Sequence, residues 1–227
     1  MRRTFFTLVL LVAASAFAQV DAGARLRFAV LYFDAPPTDP DLREFATGFA
    51  SMLISDLSAN EQLRVIERER LEDAMKELKL GETRFADKSS FAKVGKLLGA
   101  DYLLMGSLLR DKARNQVYVN ARLISPETGD TWGWQKIIVA SDDVVVGEEE
   151  VVKQTTSKLL QLGVLTRAAE PPKKAFKLPA KTFQTYSKAL EAKDKKDTAT
   201  ATKLLGEVVK EQPDFKLAQL DLNSLTK

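Results

Sequence analysis

Apolar and polar residues follow two rhythms along this chain, and the rhythm changes at clear punctuation. Residues 25–33 (RLRFAVLYF) form a mostly apolar run rich in strand formers, bounded by Asp34 and Pro36-Pro37, which predicts a buried strand. Asp39-Pro40-Asp41, with Glu44 three residues after Asp41, is a helix start: a capping side chain, a proline in the first turn and an acid near the amino end. Leu42, Phe45, Phe49, Met52, Leu53 and Leu57 then recur at helical spacing as one stripe. Residues 63–66 read as a second strand. Residues 69–80 read as a helix with Leu71, Ala74, Met75 and Leu78 inward and Gly81 as a left-handed cap. A third helix follows Asp87 or Ser89, carries Phe91, Val94, Leu97 and Leu98 on one face, and ends at Gly99.

Three strands come next, at 102–109, 117–124 and 131–140. The middle one alternates cleanly, with Val117, Val119, Ala121 and Leu123 on one side. Their connections are polar and hairpin-length, and Pro126 and Gly129 suit a turn. A helix at 144–162 packs through Val145, Val152, Leu159 and Leu162. The order predicts an α/β (α+β) fold in which a mixed β-sheet is flanked by helices.

The pattern then breaks. Residues 167–180 hold Pro171-Pro172, Lys173-Lys174 and Pro179, a Pro/Lys-rich linker composition that is semi-extended. Beyond it, Phe183, Tyr186, Ala189, Leu190 and Ala192 mark one helical face; Ala199, Ala201, Leu204, Leu205, Val208 and Val209 mark another, with Pro213 after them. This small all-α helical hairpin at 181–227, with 217–225 as a third helix, resembles one tetratricopeptide unit. A single unit lacks neighbours to bury its faces, so the segment is expected to dock on the preceding domain or on another chain.

Charge sharpens this division. Residues 19–166 carry 19 basic and 23 acidic side chains, net −4, while residues 167–227 carry 13 basic and 8 acidic, net +5. A uniformly basic nucleic-acid binder is excluded by that balance. Residues 1–18 read as a secretory signal peptide: Arg2-Arg3, an apolar run from Phe5 to Val12, and an Ala16-Phe17-Ala18 end. That run is too short for a membrane-spanning helix, which needs about 20 residues. Cleavage is expected after Ala18, giving a periplasmic protein starting at Gln19; with no cysteine in the chain, disulfides and a thiol-linked lipid are excluded.

The stretch VIERERLEDAMKELKLGETRFADKSSFAKVGKLLGADYLLMGSL, residues 65–108, carries the most specific signal. Val65-Ile66-Glu67-Arg68, Leu71, Gly95, Leu98-Gly99-Ala100-Asp101-Tyr102, Gly106 and Thr128-Gly129 together resemble the CsgG-like family of cell-envelope proteins, which includes the curli secretion pore and periplasmic assembly factors. The resemblance covers roughly residues 25–162. It extends more remotely to the amino-terminal domain of TolB-like proteins and to lipoprotein activators of peptidoglycan synthases. It implies an envelope role, self-association of the α/β domain into a homo-oligomer, and peripheral contact with the outer membrane. Physically, the signature residues Glu67, Arg68, Gly99, Asp101 and Gly106 read as framework: a helix start, a positive-φ stop, a loop clamp and a close approach within a strand. The chain departs from the family at Gln19, where several relatives have a lipidated cysteine, and it has no spare hairpin long enough to build a membrane barrel.

Candidate chemistry is sparse. The chain has no histidine and no cysteine, no Gly-x-x-x-x-Gly-Lys-Ser/Thr loop and no Gly-x-Ser-x-Gly elbow, so the reading is not an enzyme, with no cofactor, metal or small-molecule substrate. Ser90-Phe91-Ala92-Lys93 matches Ser-x-x-Lys without its companion motifs, and Phe91 lies on a buried stripe. Asp142-Asp143 and Glu148-Glu149-Glu150 read as acids favoured near a helix start. Trp132 and Trp134 share one face of the last strand, as core or as a protein-contact patch, and Tyr186 is a third contact candidate. The expectation is a non-enzymatic envelope scaffold that assists a secretion or surface-assembly complex. The alternatives are a regulator that activates a peptidoglycan synthase and an outer-membrane pore subunit.

Overall fold

The computed structural model describes residues 25–77, 88–140, 143–167, 174 and 176–226. The signal-peptide reading of 1–18, the Gly81 and Asp87 caps and residues 168–173 and 175 of the linker lie outside the described residues.

Five strands form one mixed sheet in the order β2-β1-β3-β4-β5. They are β1 (Leu26–Asp34), β2 (Leu63–Val65), β3 (Tyr102–Asp111), β4 (Gln116–Ile124) and β5 (Thr131–Ala140). β1 runs parallel to both β2 and β3, as helical crossovers require. β3, β4 and β5 form an antiparallel meander, with Leu104 opposite Leu123 and Ala121 opposite Trp134. The helices are α1 (Pro40–Ser58), α2 (Arg68–Glu77), α3 (Lys88–Leu98), α4 (Val144–Gln161), α5 (Ala180–Asp194), α6 (Thr198–Glu211) and α7 (Lys216–Leu225).

The two sheet faces bury different partners. Phe28, Val30, Leu104, Val119, Leu123 and Val139 face α1 and α4. Ala29, Leu31, Leu103, Met105 and Ile124 face α2 and α3, through Leu71, Phe91, Val94 and Leu98. The near-continuous apolar sequence of β1 and β3 follows from this burial on both sides.

Local chemistry sets the boundaries. Asp39 caps α1 by accepting the Leu42 amide at 3.1 Å, with Pro40 in the first turn, and its other oxygen takes Arg110 Nε at 2.9 Å. Gly99 ends α3 at φ +63°, a conformation costly for any residue with a Cβ. At Gly106 a Cβ would stand 2.2 Å from the Asn120 carbonyl oxygen and 2.5 Å from Phe33, opposite the register shift in β1 between Val30 and Phe33.

The carboxy-terminal helices dock on α1. Phe183 of α5 meets Phe45 edge-to-face at 4.7 Å, and the ring series continues through Tyr186 to Phe215. One apolar cluster therefore runs from the sheet through α1 into α5, α6 and α7. The approach to α5 is pinned to the amino end of α4: the Val144 amide donates to the Leu178 carbonyl at 2.9 Å, and the Lys174 amide donates to Glu149 at 3.0 Å.

Candidate functional site

A cleft of about 370 Å³ opens between β5 and α4. Its walls are Trp132, Gly133 and Trp134 from the strand and Lys153, Gln154, Ser157, Lys158 and Gln161 from the helix. α4 follows β5 directly, so it runs back along the strand. At its amino end the two are in tight contact: a Cβ at Gly147 would stand 2.4 Å from the Val139 side chain. The cleft opens at the other end, beside the first residues of β5.

Strand alternation puts both tryptophans on the α4 side, where they are half-buried against the main core. The Trp132 ring lies 6.3 Å from Tyr102, and Lys158 Nζ sits 5.7 Å from its centroid, within cation–π range. Partial burial, then the nearby acids Asp101, Asp130 and Glu127, push the Tyr102 phenol above its usual range. Lys153 reaches Glu150 at 3.7 Å and its side chain is 70% exposed. Gly133 lies exposed beside the cleft, and a Cβ there would meet only the Ala121 carbonyl, at 3.9 Å.

β5 is also an edge strand, so part of its backbone lacks a ladder partner. Between Val119 and Ala121 of β4 stands one residue; between Trp134 and Ile137 of β5 stand two. This bulge at 135–136 divides the edge into two short segments, the first of which adjoins the cleft.

The remaining sequence candidates fall elsewhere. Glu67 is exposed and its carbonyl takes the Leu71 amide at 3.3 Å; Arg68 is the first residue of α2. Asp101 clamps β1 to the loop before β3: it accepts the Arg27 amide at 2.9 Å and Nη2 at 2.6 Å, while its own amide donates to the Arg27 carbonyl at 2.8 Å. Partial burial opposes ionisation of Asp101, but the Arg27 side-chain and backbone donors hold it below the usual carboxylate range. Gly95 packs on Pro126 of the β4–β5 turn. Tyr186 is a correction to the sequence expectation of an exposed contact. It has no exposed surface, its ring lies among Phe183 and Phe215, and its hydroxyl donates to Asp221 at 2.8 Å. Trp132 and Trp134 come together in the cleft; Tyr186 does not join them.

The acidic run after β5 is used inside the protein. Asp143 caps α4. Glu148 is fully buried, and Lys174 Nζ lies 2.7 Å from it and 2.8 Å from Asp56. Burial and then the Asp56 carboxylate push the Glu148 carboxyl up, to about 8, against the pull of Lys174. A sequence signal existed for Glu148, which falls on the apolar stripe through Val144, Val152 and Leu159. None existed for Lys174.

Residues 32–110 match the family described as curli production assembly/transport component CsgG, which agrees with the resemblance read from the signature residues. A putative adenylate cyclase 3 from Rhizobium meliloti (strain 1021) is 30% identical over 139 residues, covering 60% of this chain but only 21% of that longer protein. Among solved structures, the LpoB C-terminal domain from Escherichia coli is 18% identical, with 53% of this chain and 86% of that chain covered and a TM-score of 0.41. Lipoprotein GNA1162 from Neisseria meningitidis is 15% identical, with 59% and 96% covered and a TM-score of 0.42. Among the described residues no helix is long and apolar enough to cross a membrane.

Proposed function

We propose that this chain is a non-catalytic cell-envelope protein that supports a secretion or surface-assembly complex by binding other proteins, and that the β5–α4 cleft is its contact site. The observation that carries this reading is the placement of both tryptophans in an open cleft beside an unpaired strand edge. Tryptophan is the side chain most enriched among the residues that dominate binding energy, and half-burial leaves it rigid and available. The family match over residues 32–110 supports the envelope assembly setting. The cyclase activity in the name of the Rhizobium protein is said of that protein, most of which lies outside the match.

In-cell crosslinking of the exported full chain, with Trp134→Ala and an exposed control such as Lys112→Ala beside it, tests this. The reading expects named envelope proteins captured by the wild type and the control and lost from the Trp134 variant, with far-UV circular dichroism unchanged. Identical capture by all three proteins refutes the cleft as the contact site.

A further inference from the structure

We propose that the cleft takes an extended acidic peptide segment, which adds as a strand to residues 131–134 of β5 and lays its carboxylates against Lys153 and Lys158. This rests on the protein-binding reading and names the chemistry of the partner.

Size selects the shape of the occupant. A helix with its side chains is about 10–12 Å across. A cleft of about 370 Å³ walled by one strand and one helix does not hold it. A single extended segment fits, because its backbone lies along the β5 edge and its alternate side chains enter the cleft. The exposed backbone at Gly133 leaves that approach open. The bulge at 135–136 interrupts the ladder after Trp134, so the added strand is short.

Charge selects the sign. The helix wall presents Lys153, whose ion pair with Glu150 is long at 3.7 Å, and Lys158, whose ammonium lies over the Trp132 ring. Three of the acids near the cleft already have partners of their own, while Glu127 stands on the β4–β5 turn beside Tyr102 rather than on the helix wall. Glu150 accepts Gln154 Nε2 at 2.7 Å, Asp130 accepts the Thr128 hydroxyl at 2.7 Å, and Asp101 is held by Arg27. An incoming carboxylate therefore meets two cations on one wall, with Gln154, Ser157 and Gln161 as further polar partners.

The molecule carries its own reporter, since Trp132 and Trp134 are its two tryptophans and both line the cleft. The probes are a six-residue peptide alternating valine and glutamate, the same pattern with lysine for glutamate, and the acidic peptide with alternate amides N-methylated. Titrated into the full chain at low salt, the acidic peptide is expected to shift tryptophan emission saturably. The lysine peptide should bind roughly tenfold or more weakly, a difference of about 1.4 kcal/mol. N-methylation should abolish the shift, and Lys153→Ala with Lys158→Ala should bring the acidic peptide down to the lysine peptide's affinity. Equal binding of both charged peptides, binding that survives N-methylation, or no shift with the acidic peptide overturns the proposal. If crosslinking still shows a Trp134-dependent partner in that case, the protein-binding reading stands and only this inference fails.

Discussion

Lys174 Nζ lies 2.7 Å from Glu148 Oε2 at a point where Glu148 has no exposed surface, and it also reaches Asp56 at 2.8 Å. One cation serves two carboxylates from two helices and ties α1, α4 and the segment leading to α5 at a single atom.

Removing that cation leaves the Asp56 carboxylate and the Glu148 carboxyl buried together with no counter-charge. Lys174→Met is expected to lower stability by about 3–5 kcal/mol, the usual cost of breaking a buried pair from one side. Adding Glu148→Gln should recover part of the loss. Urea unfolding of the single and double variants measures both.

The same cluster sets a pH dependence. Glu148 titrates near 4.5 when unfolded and is raised to about 8 in the fold, so the folded state holds the extra proton between those values. Its contribution is fully present below 4.5 and is lost as pH rises through about 8. The wild type should therefore lose stability from pH 5 to pH 8 relative to Glu148→Gln, whose side chain stays neutral. Denaturant midpoints of both proteins at the two pH values decide this, and parallel slopes would contradict it.

Asp101 and Arg27 form a clamp whose two halves are unequal. The ion pair is solvent-exposed and screened by water, so Arg27→Ala should change stability little. Asp101→Ala also strands the Arg27 amide, and should cost about 1–3 kcal/mol. Equal costs would show that the backbone bond contributes nothing.

Gly106→Ala places a Cβ 2.2 Å from a backbone oxygen of β4, which cannot rotate away. The expected loss is about 1–3 kcal/mol, with faster hydrogen exchange along β3 and β4. Full stability in the alanine variant would show that the strands separate freely.

Much of this architecture was readable beforehand. The apolar runs of β1 and β3, the alternation of β4, the Asp39-Pro40 start of α1 and the Gly99 stop each rest on contacts within a few residues, so local pattern reports them. What the pattern left open depends on distant chain. Lys174 sits in a Pro/Lys segment whose composition says spacer, while its partners Glu148 and Asp56 are far apart in the chain yet lie 2.7 and 2.8 Å from its ammonium. Tyr186 lies on a helical face that α7 covers, through Asp221. For the tryptophans, alternation fixes a shared face but not how far α4 stands from it. That distance is set by the tight contact at Gly147.

The sheet ends in two unequal margins: three residues of β2 on one side and, on the other, a β5 interrupted after Trp134. Neither offers the long, regular ladder on which identical chains stack without limit. A strand accepted at β5 has no matching margin to pass it on. The consequence is geometric: an added strand at β5 meets a ladder that runs only from Thr131 to Trp134 before the bulge.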